Sequence, residues 1–179
     1  MPLAVTHFVI AVILITLFRD YFVKNKKDFP IYYVFMGGLA GLLPDIDFLF
    51  VWISYIFGYD SLGIHRTITH SLFFPLIFIL FSLIFIKAKP FKINKSKITY
   101  SKLFLIISAG ILMHLILDGL LSGSIIPFYP ASNIEFGLDL VGLIPNANLR
   151  DFFFPTLDAI LLILWISYLE YKHEISSFF

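Results

Sequence analysis

The chain has 179 residues, of which 59% are hydrophobic and 14% charged, and its formal net charge is +1. A soluble domain of this size carries about a quarter charged residues, and here the apolar residues come in long runs, so the composition points to a bilayer rather than to water. The near-neutral balance supplies no field for a nucleic-acid partner, and the absence of cysteine excludes disulfides and thiolate metal ligands.

The first apolar stretch is Leu3–Phe18. No Lys or Arg precedes it, and Arg19, Lys24, Lys26 and Lys27 follow it, so it reads as an uncleaved helix and not as a signal peptide. The second, Ile31–Leu43, begins after the polar Asp28-Phe29-Pro30 turn and ends at Pro44-Asp45-Ile46-Asp47. Gly37, Gly38 and Gly41 allow close helix contact there. The third, Phe48–Gly58, reads as a surface helix or a re-entrant segment. Ser71–Ile86, Leu103–Leu121 and Pro155–Leu169 complete the set, and each can span.

Two connections are long. Lys87–Lys102 is polar and lysine-rich, and Ser122–Phe154, with three prolines, reads as a folded loop over one end of the bundle. The expected architecture is therefore an all-α membrane protein, a bundle of about five transmembrane helices forming one domain over residues 1–179. The two basic loops fall on one side of such a bundle. The positive-inside rule then places the N-terminus outside and the C-terminus in the cytoplasm.

An ionisable residue inside an apolar helix costs several kcal/mol unless it is paired or hydrated, in the range of about 2.5–3.5 kcal/mol on insertion scales. Eight such residues share one level near the outer face: His7, Asp45, Asp47, His65, His70, His114, Asp118 and Asp158. His114 and Asp118 stand four apart and project from one face of one helix. Asp45 and Asp47 sit at a Pro-marked break, where both carboxylates can turn to the same centre. His65 and His70 diverge on a regular helix, so a bend is expected between them, with Thr69 or Ser71 capping the next helix. Asp158 reads either as a ligand or as a cap of the last helix, and Arg66 either as a topology residue or as a substrate contact. His173 lies in a solvated tail.

The pieces Thr6-His7, Gly41-Leu42-Leu43-Pro44-Asp45-Ile46-Asp47, His65-Arg66-x-x-Thr69-His70-Ser71-Leu72, and His114-x-x-x-Asp118 followed by Ile126-Pro127-Phe128-Tyr129-Pro130 resemble the LexA-binding, inner-membrane-associated metal-dependent hydrolase family. Members often carry His after the second Asp, where this chain has Phe48. The resemblance implies an inner-membrane hydrolase; its LexA label is not carried over. A more distant similarity, in residue order alone, is to zinc-dependent phospholipase C, through His7, Asp45, His65, His114 and Asp118.

His and Asp ligands without Cys suit Zn²⁺ first, and Mn²⁺ or Fe²⁺ as well, at one or two ions per chain. A metal-bound water is then the nucleophile, Asp47 a candidate general base and Arg66 a candidate phosphate clamp. The expected function is a multi-pass, inner-membrane hydrolase acting on a phospholipid or lipid-linked phosphoester. A proton or metal-ion transporter and a membrane scaffold with a structural metal are the alternatives.

Overall fold

The computed structural model describes residues 4–58, 67–93 and 96–173. Helix α1 spans Ala4–Phe22, with Arg19 in its last turn, where a cation meets the negative end of the helix dipole. A 3-10 turn at Lys26–Asp28 reverses the chain, with the Asn25 side chain accepting from the Lys27 backbone. Helix α2 is Ile31–Ala40. Pro44 then opens a second 3-10 turn, and α3 runs Asp47–Ile56. The pair bends by 48° across this break, because proline has no N–H to continue the first helix.

Helix α4 is Phe73–Ile84, extended by a 3-10 turn to Lys87. Strands β1 (Phe91–Ile93) and β2 (Ser96–Ile98) form a small antiparallel hairpin. Helices α5 (Tyr100–Leu121) and α6 (Ala147–His173) complete the chain.

Three of the five expected spans, α1, α5 and α6, have the length and apolar composition to cross a membrane. The bent α2–α3 pair makes a fourth if counted as one span. Helix α4 is too short on its own: at about 1.5 Å per residue its 12 residues reach well under the roughly 30 Å of hydrocarbon.

Three local expectations are corrected. The lysine-rich connection holds the β hairpin, since Phe91, Ile93 and Ile98 share one face and Lys92 and Lys97 the other, a period-two pattern. Helix α6 starts at Ala147 rather than at Pro155, because the Asn146 side chain accepts the Leu149 N–H at 3.3 Å and caps an earlier turn. Neither Thr69 nor Ser71 caps α4; the Leu72 N–H donates instead to the Pro127 carbonyl at 2.8 Å, tying the helix to the long loop.

That loop also finishes α5. The N–H groups of Leu138, Leu140 and Val141 donate to the carbonyls of Gly119, Leu120 and Leu121 at 2.7, 3.0 and 3.1 Å. These carbonyls belong to the last turn of α5, where intrahelical donors run out.

Helix α2 sits between α1 and α5 at a distance only glycine permits. A Cβ on Gly110 would stand 2.4 Å from the Gly37 carbonyl oxygen, and one on Gly41 would stand 2.9 Å from the His7 carbonyl oxygen. In lipid, where no hydrophobic drive separates helix from solvent, such small-residue contacts are what let helices pack. Toward the lysine-rich end, Val12, Ile15, Phe29, Tyr33, Val34 and Ile98 form a buried cluster. Tyr33 Oη anchors the hairpin there by accepting the Thr99 N–H at 2.8 Å.

Gly110→Val is therefore expected to destabilise the bundle by about 1–3 kcal/mol, the usual cost of overpacking. Leu112→Val, at an exposed position on the opposite side of α5, should melt with the parent protein. Equal melting of both variants in the same detergent would contradict the close packing of α2 on α5.

Candidate metal centre

Five ionisable side chains converge where α1, the Pro44 break, the start of α4 and α5 meet. His7 comes from the second turn of α1, and His114 and Asp118 from one face of α5. Asp45 comes from the 3-10 turn and His70 from the turn before α4. All are buried except Asp45, which is 23% exposed and gives the cluster its one partial opening among the described residues.

The two histidines on opposite sides of the centre have fixed tautomers. His114 Nδ1 lies 2.7 Å from the Gly41 carbonyl oxygen. A carbonyl only accepts, so Nδ1 carries the proton and Nε2 carries the lone pair. Thr69 Oγ1 donates to Asp47 Oδ2 at 2.8 Å and lies 3.1 Å from His70 Nδ1. With its own proton committed to Asp47, the hydroxyl accepts from His70 Nδ1–H, and the His70 Nε2 lone pair also faces the centre.

These two Nε2 atoms are 3.3 Å apart. Asp45 Oδ1 is 3.6 Å from each. Asp118 Oδ2 is 3.5 Å from His70 Nε2 and 3.6 Å from His114 Nε2. Two imidazole lone pairs and two carboxylates facing one another repel unless a cation sits among them. Ligand bonds of about 2.0–2.2 Å in a tetrahedron give edges of roughly 3.3–3.6 Å, the range of the separations within the Asp45–His70–His114 group and between Asp118 and the two histidines. The donor set therefore fits a divalent cation.

His7 adds a fifth donor. Its ring stacks on His114 with centroids 3.7 Å apart, and its Nε2 lies 3.5 Å from Asp118 Oδ1. Both His7 ring nitrogens and Asp45 Oδ1 are buried with no hydrogen-bond partner among the described residues. Orphaned polar atoms of this kind are costly, and a bound ion would satisfy them. Two three-residue groups can hold an ion, His7–His114–Asp118 and Asp45–His70–His114, and His114 belongs to both.

The other expected site residues separate from this cluster. Asp47 Oδ2 stands 3.4 Å from His70 Nδ1, on the far side of that ring from the converging donors. Asp158 lies well inside α6 and so does not cap it; its Oδ1 accepts a hydrogen bond from Thr6 Oγ1, which ties α6 to α1 one residue from His7. His65 and Arg66 lie outside the described residues, as does the side chain of His173. Sequence reasoning missed the contributions of Thr69, Thr6 and the Gly41 carbonyl. Thr6 and Thr69 directly precede His7 and His70, and that pairing was the available signal; the Gly41 carbonyl had none.

Protein purified without chelator is expected to carry a transition metal, and His114→Ala and Asp118→Ala are each expected to lose most of it. Asp47→Asn should retain the site with affinity weakened about 10–100-fold, the usual effect of an outer partner on a ligating histidine. Elemental analysis across a chelator titration checks both; an unchanged metal content in His114→Ala would remove α5 from the centre.

The profile of the YdjM inner membrane protein family covers residues 1–174. No curated protein and no solved structure matches the chain. The family description agrees with the apolar helices and with an inner-membrane location. On a match of this extent, the chain belongs to the YdjM inner membrane protein family.

Proposed function

We propose that this chain is a membrane-embedded, metal-dependent hydrolase of the inner membrane, acting on a phospholipid or lipid-linked phosphoester. The observation that carries the reading is the pair of Nε2 lone pairs facing each other at 3.3 Å between two carboxylates. Asp45, His70 and His114 are the proposed ligands, three donors that leave a fourth position for water, with Asp118 and His7 beside them. Because His114 Nδ1 is committed to Gly41, its one remaining lone pair serves one ion, which favours a single metal per chain over two. Zn²⁺ suits the His and Asp set best, with Mn²⁺ or Fe²⁺ also accommodated. Such an ion, when bound, acidifies a water and polarises a phosphoryl oxygen.

The protein's own groups supply the rest. Asp47, through Thr69, holds the His70 ring in its tautomer and is assigned here as a positioning residue rather than a ligand or a general base. Asp45, the partly exposed donor, marks the side from which substrate approaches. Arg66 is the proposed clamp on a phosphate oxygen, a task guanidinium geometry favours. Asp158 is assigned to fixing α6 against α1 through Thr6. The two lysine-rich connections support a five-span topology with the N-terminus outside and the C-terminus cytoplasmic; on that proposed topology the centre lies at the outer headgroup level, where lipid phosphoesters are the nearest substrates.

A second reading has its own support. Four protein donors fill a tetrahedral zinc, and a filled site is structural. In that reading, with Asp118 joining Asp45, His70 and His114, the chain is a scaffold whose metal staples the start of α4, α5 and the Pro44 turn together.

The two readings part on activity. The metal-loaded protein should release product from a panel of phospholipids and polyprenyl phosphates, stop with chelator and recover with Zn²⁺ or Mn²⁺. Arg66→Ala should keep its metal and lose about a hundredfold in turnover, as removal of one charge-stabilising donor commonly does. No release from the panel by folded, metal-loaded protein would leave the scaffold reading, and ion flux across vesicles would favour transport instead. Reporters fused near Lys95 and near Asn133 should fall on the cytoplasmic and outer sides respectively; a common side would overturn the topology.

A further inference from the structure

A second feature lies away from the metal centre, on the face where α1, α2 and α6 meet. A groove of about 490 Å³ runs there, walled by Phe8, Val12, Val34, Phe35 and Trp165, with Arg19 at one end. Phe8 and Arg19 bound it on α1, eleven residues apart, or about 16 Å along the helix. That is about half of the roughly 30 Å hydrocarbon core, the depth of one leaflet. The walls are apolar and the end is cationic.

That end carries an excess of positive charge over residues 19–28, although Asp20 pairs with Arg19 at 3.1 Å and with Lys26 at 3.7 Å. Over residues 19–28, Arg19, Lys24, Lys26 and Lys27 face Asp20 and Asp28, a net +2. Arg19 is held at the groove's end by its own contacts, donating from Nε to the Phe29 carbonyl at 3.0 Å and from Nη1 to Asp20 Oδ1 at 3.1 Å. Trp165 adds an unmet donor: its Nε1 is buried with no hydrogen-bond partner among the described residues. An unmet indole N–H inside a bundle costs about 1–3 kcal/mol, and the groove that Trp165 lines is where an acceptor can be supplied.

We propose that this groove binds an anionic phospholipid of the leaflet at the lysine-rich end, its acyl chain along Phe8 and Val12, an ester carbonyl accepting from the Trp165 indole and its phosphate at Arg19. The pattern of an apolar trough one leaflet long, ending in a fixed guanidinium beside lysines, matches an amphiphile with a negative head. It does not match a soluble anion, which has no use for the walls, or a neutral lipid, which has none for the charge. The proposal is independent of the metal chemistry, which lies at the opposite end of α1.

The test uses intrinsic fluorescence. The chain has two tryptophans, and Trp52→Phe at an exposed position leaves Trp165 as the sole reporter. The full-length variant goes into nanodiscs of zwitterionic lipid doped with phosphatidylglycerol or phosphatidylcholine carrying brominated acyl chains, which quench indole on contact. The expected result is half-maximal quenching at a several-fold lower mole fraction of the anionic lipid. Arg19→Gln should abolish that preference, and Arg19→Lys should keep most of it if the glutamine variant fails to fold. Ile31→Phe, which narrows the groove at its rim, should weaken quenching by both lipids. Metal content should be the same in every variant, so failure here is separable from failure of the metal centre. Equal quenching by the two lipids, or loss of the preference on adding inorganic phosphate, would overturn the proposal.

Discussion

Two imidazole lone pairs held 3.3 Å apart inside an apolar bundle are the constraint on which the rest of this structure turns. Neither ring can hydrogen-bond the other while both Nδ1 atoms carry the protons that Gly41 and Thr69 accept. Two carboxylates beside them add like charge in a low dielectric, where repulsion is strongest. A cation at the centre converts each of these unfavourable contacts into a favourable one. Much of the fold can be understood as what brings these donors to one point and keeps water largely away from them.

The glycines are part of that work. His114 reaches the Gly41 carbonyl because α2 lies against α5 with Gly110 touching the Gly37 backbone, and it lies against α1 with Gly41 touching the His7 backbone. The Pro44 break does the next part. It ends α2 where the Gly41 carbonyl is turned to His114, and it bends the chain so that Asp45 points into the centre while Asp47 points at the back of His70. The long loop does the third, pinning the start of α4, and His70 with it, through the Pro127 carbonyl.

Parts of this were legible in the sequence, for identifiable reasons. His114 and Asp118 were legible because a four-residue spacing fixes their common face whatever the tertiary structure. Asp45 was legible because proline marks a break. The membrane itself was legible from long apolar runs, although the length of α4 was not: Ser71–Ile86 is nearly all apolar, and the Leu72 N–H at its start goes to the Pro127 carbonyl of a distant loop. The placement of Asp47 was hidden because two aspartates two residues apart look alike in a sequence, and a 3-10 turn sends them to opposite sides of one ring. Asp158 was misplaced for a related reason. Its apparent position at a helix start came from Pro155, whereas Asn146 caps the helix earlier and leaves both residues inside it.

The central claim, that this chain holds one ion among His and Asp side chains, is tested most directly by X-ray absorption at the metal edge on protein prepared without chelator. The account predicts a nitrogen and oxygen shell at about 2.0–2.2 Å with no sulfur and with outer-shell scattering from at least two imidazoles. Folded protein with no bound metal, or a metal surrounded by water with one imidazole or none, would contradict it.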